Sequence, residues 1–211
     1  MSICHIFAAG DFCGDFVPEP EDIIIAADAG YTHLKRMNLL PHLLIGDFDT
    51  IDEIPQKIDN IIKFPAEKDY TDTQLAIEEG ISRGFTKFIV YGALGGKKLE
   101  HTFANIQMAV GYSQKGCDIT LTDGVTFVYA VHNSKITFAN TSSGYVSVFS
   151  ASEKSNGVTL TGLKYTLNGA TLTNDFALGV SNEFTGECAE ISVADGTLII
   201  ITGQRRQNNE N

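Results

Sequence analysis

An α/β half followed by an all-β half is the fold class this sequence predicts, and three observations predict it. From Ile3 to about His132, short apolar runs alternate with amphipathic stretches, the pattern of βαβ units. Beyond His132 the runs are short and alternating, separated by Gly, Asn, Ser and Thr, with no helical period. A chain of 211 residues with 43% hydrophobic and 19% charged residues is long and apolar enough to give each half a core. The first half therefore reads as a mostly parallel sheet with covering helices over residues 1–132. The second reads as a small sandwich or barrel over 133–203, and 204–211 as a frayed polar tail.

Composition narrows the function. A formal net charge of −11 argues against a nucleic-acid surface, where affinity comes from Lys and Arg releasing counterions. No apolar run approaches the roughly 18 residues of a membrane span, so no membrane partner is expected. Cys4, Cys13, Cys117 and Cys188 show no C-x-x-C spacing and read as reduced core residues of a cytoplasmic protein. The start, Ile3-Cys4-His5-Ile6-Phe7, lacks the basic and long apolar regions of a signal peptide.

In the first half the strands are expected at 3–9, 23–27, 42–46, 60–64, 87–92, 117–122 and 126–131. The pivotal stretch is Leu43-Leu44-Ile45-Gly46-Asp47-Phe48-Asp49-Thr50, a fully apolar strand running through a glycine into two carboxylates. Ligands of parallel sheets bind at the carboxyl ends of strands. On an extended backbone Asp47 and Asp49 point to the same side, and two converging carboxylates suit a hard divalent ion such as Mg²⁺ completed by water and substrate phosphates. The plainer alternative is an Asx-type turn. Ile23-Ile24-Ile25-Ala26-Ala27 delivers a third carboxylate, Asp28, at another strand end, and Gly30 opens a short helix.

Thr71 and Gln74 have capping-box spacing ahead of Leu75, Ile77, Ile81 and Phe85, which puts Asp72 in a helix's first turn and leaves Asp69 just outside it. The helix dipole alone favours a carboxylate at Asp72. Lys87-Phe88-Ile89-Val90-Tyr91 then runs into Gly92-Ala93-Leu94-Gly95-Gly96-Lys97-Lys98-Leu99-Glu100-His101, where glycine amides, two lysines and a helix start suit a phosphate. An ordinary strand-to-helix turn is the alternative, and the spacing is not that of a Walker A loop. Phe103, Ile106 and Val110 share one face of the following helix and read as core. In the second half, strands are expected at 135–140, 144–150, 157–161, 170–173, 188–193 and 197–202. Five carboxylates at strand ends or helix starts of one α/β unit point to phosphoryl-type transfer.

At these residues the chain resembles the thiamine pyrophosphokinase family, over nearly its whole length. The family's G-D-F-D-[ST] reads Gly46 to Thr50, its K-D-x-T-D reads Lys68 to Asp72, and its G-x-x-G-G-R-x-D-H is matched from Gly92 to His101, with Thr102, Ala104 and Asn105 following as T-x-A-N. Gly162-Leu163-Lys164-Tyr165 and Ser181-Asn182-Glu183 are similar to its G-L-x-Y and S-N-E. The departures are Ala29 in place of the family's usual glycine, Lys98 for Arg, Glu100 for Asp, and one extra residue, most simply Lys97.

The resemblance implies a Rossmann-like α/β domain that binds ATP, then a β-sandwich, in a homodimer whose interface forms the thiamine site. It implies Asp28, Asp47, Asp49 and Asp72 as metal carboxylates for Mg²⁺. Asp69, Thr71, Gly95, Gly96, Lys97 and Lys98 would serve ATP, and Ser181 and Asn182 would hold thiamine. The expected reaction moves the pyrophosphoryl group of ATP to thiamine, with Lys98 on the phosphates and the proton acceptor left open between Asp72 and Glu100. A metal-dependent glycosyl- or nucleotidyltransferase, and a non-catalytic nucleotide or cation binder, are the competing expectations.

Overall fold

The computed structural model describes residues 2–48, 58, 60–65, 69–96 and 98–204. The chain divides into two compact units, Met1–Ala109 with Cys117–Gly124, and Val110–Gly116 with Val125–Asn211.

In the first unit β1 (Cys4–Phe7), β2 (Ile23–Ala27), β3 (Leu43–Gly46), β4 (Ile61–Lys63), β5 (Lys87–Tyr91) and β6 (Asp118–Thr122) lie in the order β4-β3-β2-β1-β5-β6. Every pairing among them is parallel. The α/β class with a mostly parallel sheet is thus observed. β1 and β3 are buried at every position, as strands covered on both faces must be. Helices α1 (Tyr31–Arg36), α2 (Asp72–Ser82) and α3 (Leu99–Ser113) carry the crossovers, with a short 3₁₀ turn at Asp28–Gly30.

Helix α2 starts where its cap predicts: Thr71 Oγ1 accepts the Gln74 N–H at 3.2 Å. It stops in a Schellman arrangement, with the amides of Gly84 and Phe85 bonded to the carbonyls of Ile81 and Gly80 around Gly84 at φ 89°. Gly80 lets the helix approach the sheet, since a Cβ there would lie 2.5 Å from the Phe88 ring and 3.0 Å from Cys4 Sγ. On the sheet's other face Phe7, Ile24, Ala26 and Leu44 pack with Phe12, Tyr31 and Leu34, so the β1–β2 connection and α1 cover that side.

Strand order reverses between β1 and β5. In an open parallel sheet such a switch point leaves a crevice at the carboxyl edge.

The second unit holds β7 (Thr126–His132), β8 (Lys135–Phe138), β9 (Tyr145–Ser150), β10 (Lys154–Thr161), β11 (Leu167–Thr173), β12 (Gly179–Glu183), β13 (Ala189–Ser192) and β14 (Thr197–Gly203). They pair antiparallel in two sets, β12-β9-β14-β7 and β11-β10-β13-β8. One core joins Val146, Val148, Leu198 and Ile200 of the first set to Val158, Leu160, Leu172 and Ile191 of the second.

Three expectations need correction. β12 is not among the expected strands, because Gly179-Val180-Ser181-Asn182-Glu183 has one large apolar residue and a register shift against β9. The face Phe103, Ile106, Val110 is not core: Phe103 is 61% exposed and its neighbour Leu99 80%, while α3 buries Asn105, Ala109, Tyr112 and Ser113. The apolar period is real, but the stripe that α3 buries is a neighbouring one. Of the cysteines, all free, only Cys4 is buried, its thiol pushed up to about 12 by burial against a smaller opposing effect of Arg83; Cys13 and Cys188 are exposed. Tail residues 205–211 lie outside the described residues.

Candidate active site

Parallel pairing of β2 with β3 sets Ala27 opposite Ile45, so Asp28 follows at the level of Gly46 and Asp47 comes next. The two strand ends are in close contact: a Cβ built on Gly46 would lie 3.0 Å from Asp28 Cβ and 3.1 Å from its Cα. Asp28 is half-buried with Oδ1 shut off from solvent, and Asp47 is half-buried beside it. The extended backbone expected across Asp47-Phe48-Asp49 is not found, because Phe48 has φ 65°. Asp49, expected to converge with Asp47, lies outside the described residues.

Strain marks this corner. Among the described residues the non-glycine positions with left-handed φ are Asp28, Asn38, Phe48, Asn133 and Ser181. Asparagine enters that region readily, whereas a bulky Phe does so at a cost, and such costs gather where a site needs them. Asp28, Phe48 and Ser181 all fall in or beside the motifs singled out above.

The glycine loop leaves β5 on the same carboxyl edge, across the switch point. Gly92, Gly95 and Gly96 have φ of 64°, 71° and 85°, which side chains disfavour. Among the described residues three side chains anchor it. Asn105, buried on α3, donates from Nδ2 to the Ala93 carbonyl at 2.8 Å, and Thr102 Oγ1 donates to the Gly95 carbonyl at 3.3 Å. The T-x-A-N residues therefore brace the loop. The third anchor was missed from sequence: Asp11 Oδ2 accepts the Gly96 N–H at 2.8 Å. Its only sequence signal was a carboxylate soon after a buried strand, the same signal that singled out Asp28. Lys98 and Glu100 stand exposed at the start of α3, and Lys97 lies outside the described residues.

Asp72 is the first residue of α2, half-buried, and Asp69 is exposed before it. The Thr71 hydroxyl is engaged in the helix cap. Among the described residues no three His, Cys, Asp or Glu side chains gather closely enough to hold a metal ion by themselves. Magnesium needs only one or two carboxylates when phosphates and water complete its shell, so the donor chemistry of Asp28 and Asp47 fits it.

Groups with displaced pKa lie behind this edge. Burial pushes the Tyr91 hydroxyl up to about 12, with Asp22's charge adding to the effect. Burial lowers His5, outweighing the hydrogen bond and charge of Asp22. Asp22 is lowered as well, burial being overcome by hydrogen bonds from Ile3 N–H, His5 and Glu19 N–H. A protonated Tyr91 donating to His5 Nδ1 at 3.0 Å leaves Nε2–H to donate to Asp22 at 3.0 Å. This network ties the end of the β1–β2 connection to β1 and β5.

In the second unit the two C-terminal motifs meet. Asn182, 3% exposed, accepts the Tyr165 N–H at 2.9 Å and donates to the Tyr165 carbonyl at 2.7 Å. Lys164 and Glu183 add a backbone bond and a 3.0 Å ion pair. Asn182 thus spends its amide on the G-L-x-Y loop, while Ser181, at φ 59°, stands exposed with its N–H on Ser147 Oγ. Beside them is a pocket of about 250 Å³ lined by Tyr165, Leu167, Leu178, Val180 and Asn182.

Residues 17–121 match the family model "Thiamin pyrophosphokinase, catalytic domain", and residues 127–198 match "Thiamin pyrophosphokinase, vitamin B1 binding domain". The chain belongs to the thiamine pyrophosphokinase family. It is 29% identical over 183 residues to the thiamine pyrophosphokinase of Bacillus subtilis, covering 84% of this chain and 85% of that one. To thiamin pyrophosphokinase 1 of Caenorhabditis elegans it is 25% identical over 165 residues, 72% of this chain and 67% of the other. The crystal structure of the Bacillus subtilis thiamine pyrophosphokinase shares the fold, with TM-score 0.81 at 24% identity, covering 97% of this chain and all of that one. No described helix is long and apolar enough to cross a membrane.

Proposed function

We propose that this thiamine pyrophosphokinase family member transfers the pyrophosphoryl group of ATP to the hydroxyethyl oxygen of thiamine, giving thiamine diphosphate and AMP. The observation that carries the reading is the approach of Asp28 to Gly46-Asp47 on the carboxyl edge that also bears the braced Gly92–Gly96 loop. Transfer of this kind rests on positioning and charge neutralisation. The backbone amides of the loop and the Lys98 ammonium take the phosphates. Asp28, Asp47, Asp49 and Asp72 would hold Mg²⁺, which when bound would offset phosphate charge. The β-phosphorus is the centre attacked, AMP leaves, and the thiamine hydroxyl gives its proton to Asp72 or Glu100.

Thiamine is assigned to the second unit, at Ser181 and the pocket lined by Tyr165, Leu178 and Val180, with Asn182 fixing Tyr165 rather than spending its own amide on the ligand. A homodimer with composite sites accords with the large apolar side chains left exposed, Phe103 and Leu99 on α3 and Tyr165 and Leu178 in the second unit. A cytoplasmic enzyme is the corresponding location. The test is AMP release from ATP with and without thiamine. AMP formed only with thiamine supports the reading; nucleotide turnover indifferent to thiamine, or none, supports the transferase or the non-catalytic alternative.

A further inference from the structure

We infer that Asp11 is a positioning residue for the nucleotide, holding the Gly95-Gly96 turn in the shape that receives ATP phosphates; this rests on the assignment of ATP to that loop. The contact spans the switch point, from the connection after β1 to the loop after β5, where a parallel sheet opens its ligand crevice. Asp11 Oδ2 accepts the Gly96 N–H at 2.8 Å. A Cβ on Gly95 would lie 2.9 Å from the same oxygen, so the carboxylate is seated against the turn and glycine is required there.

The segment that delivers Asp11 is itself fixed on several sides. Gly10 N–H donates to the Gly92 carbonyl at 2.8 Å, and Asp11 bridges to Leu94. From α1, His33 Nε2 bonds the Gly10 carbonyl at 2.9 Å and Arg36 donates to the Phe12 carbonyl at 3.3 Å. Cys13 N–H reaches the Asp123 carbonyl at 2.8 Å. The loop's other two side-chain anchors among the described residues, Thr102 and Asn105, both grip carbonyls from α3. Asp11 alone of the three holds an amide, and it holds the one in the left-handed turn. An anion beside an anion site repels the ligand, so an acidic residue here is explained by what its oxygen does for the turn. The Gly96 N–H is committed to Asp11, and that bond fixes the backbone of the turn at Gly96.

Three substitutions separate the oxygen's position from its charge. Asp11→Asn keeps an acceptor oxygen in place, Asp11→Glu keeps the charge but displaces it by a methylene, and Asp11→Ala removes both. The account expects Asp11→Ala and Asp11→Glu to raise the KM for ATP about tenfold or more, with kcat and the KM for thiamine within about threefold of wild type. Asp11→Asn should stay within about threefold in all three. Amide exchange at Gly96 in ligand-free protein, read by NMR, should be at least about tenfold faster in Asp11→Ala than in wild type or Asp11→Asn. An unchanged KM for ATP in both Asp11→Ala and Asp11→Glu overturns the inference, as does an Asp11→Asn enzyme as impaired as Asp11→Ala, which would make the charge itself the active property. Should Asp11→Ala not fold, Asp11→Asn against Asp11→Glu decides. If wild type shows no thiamine-dependent AMP, the nucleotide assignment fails and the inference with it, whatever Gly96 exchange shows; if AMP forms but the variants are silent, only the Asp11 inference fails.

Discussion

Gly46→Ala puts a methyl group 3.0 Å from Asp28 Cβ and 3.1 Å from its Cα, inside ordinary contact distance. β3 cannot slide to relieve it. Ile45 is paired with Ala27 on one side, Gly46 with Lys63 on the other, and Phe64 N–H bonds the Gly46 carbonyl at 3.0 Å. The strain therefore falls on Asp28, which must retreat from Gly46 by a few tenths of an ångström. Overpacking of this size costs about 1–3 kcal/mol, and for a chain of this length each kcal/mol lowers Tm by roughly 2–4 °C. Misplacing a catalytic group by 1 Å costs on the order of a hundredfold in rate, so a loss of roughly ten- to thirtyfold is expected.

The assay is AMP release, beside thermal unfolding followed by circular dichroism. Gly84→Ala is the control, because Gly84 has φ 89°, a methyl group added there would meet nothing within 4 Å, and it stands at the far end of α2. It should lose about 1–2 kcal/mol of stability from backbone strain and keep full activity. If Gly46→Ala keeps activity within twofold while its Tm falls like that of Gly84→Ala, the approach of Asp28 to β3 has no part in catalysis.

Lys98→Ala should raise the KM for ATP about tenfold while leaving the KM for thiamine unchanged; unchanged ATP kinetics would reduce the loop to a turn. Acid should destabilise the protein in two steps. His5 and His33 are held below their ordinary 6.5 mainly by burial, so the unfolded chain binds protons first, and their contribution, complete above 6.5, is lost as pH falls through their folded values. Asp22, held below 3.8, behaves likewise in a lower window, its contribution complete above 3.8 and lost beneath it. A urea midpoint flat from pH 7.5 to 5 would contradict the first step, and an Asp22→Asn variant with an unaltered profile below pH 4 the second. Finally, an Asp47→Asn chain and a Ser181→Trp chain should each be nearly inactive, yet regain part of the activity after subunit exchange, since a mixed dimer has one site with both lesions and one with neither. A mixture that stays inactive although mass shows exchange rules out a shared site.

Local pattern revealed much of this molecule. The β-branched run Ile23–Ala27 is a strand with the bounds its composition suggests, the apolar strand expected at 42–46 runs from Leu43 to Gly46, and Thr71 caps α2 as its spacing requires. What stayed hidden depends on partners distant in sequence. Asp11 and Gly96 are 85 residues apart, and no window reveals that they meet. Phe103 obeys a helical period, but period cannot say that the fold buries the neighbouring stripe of Asn105 and Ala109 instead. β12 escaped because an edge strand with a bulge at Ser181 needs little apolar character. The left-handed Phe48 between two aspartates defeats any inference from strand alternation, since strain of that kind is set by the surroundings and not by the residue.

The central claim is that a two-phosphate unit moves intact to thiamine at the carboxyl edge of this sheet. ATP labelled in turn with ³²P at the α, β and γ positions tests it most directly, with products separated after partial turnover with thiamine and magnesium. The account predicts β and γ label together in thiamine diphosphate, α label only in AMP, and AMP and thiamine diphosphate formed in equal amounts. Label from γ alone on thiamine with ADP as co-product, or β and γ label released as free pyrophosphate, would contradict it.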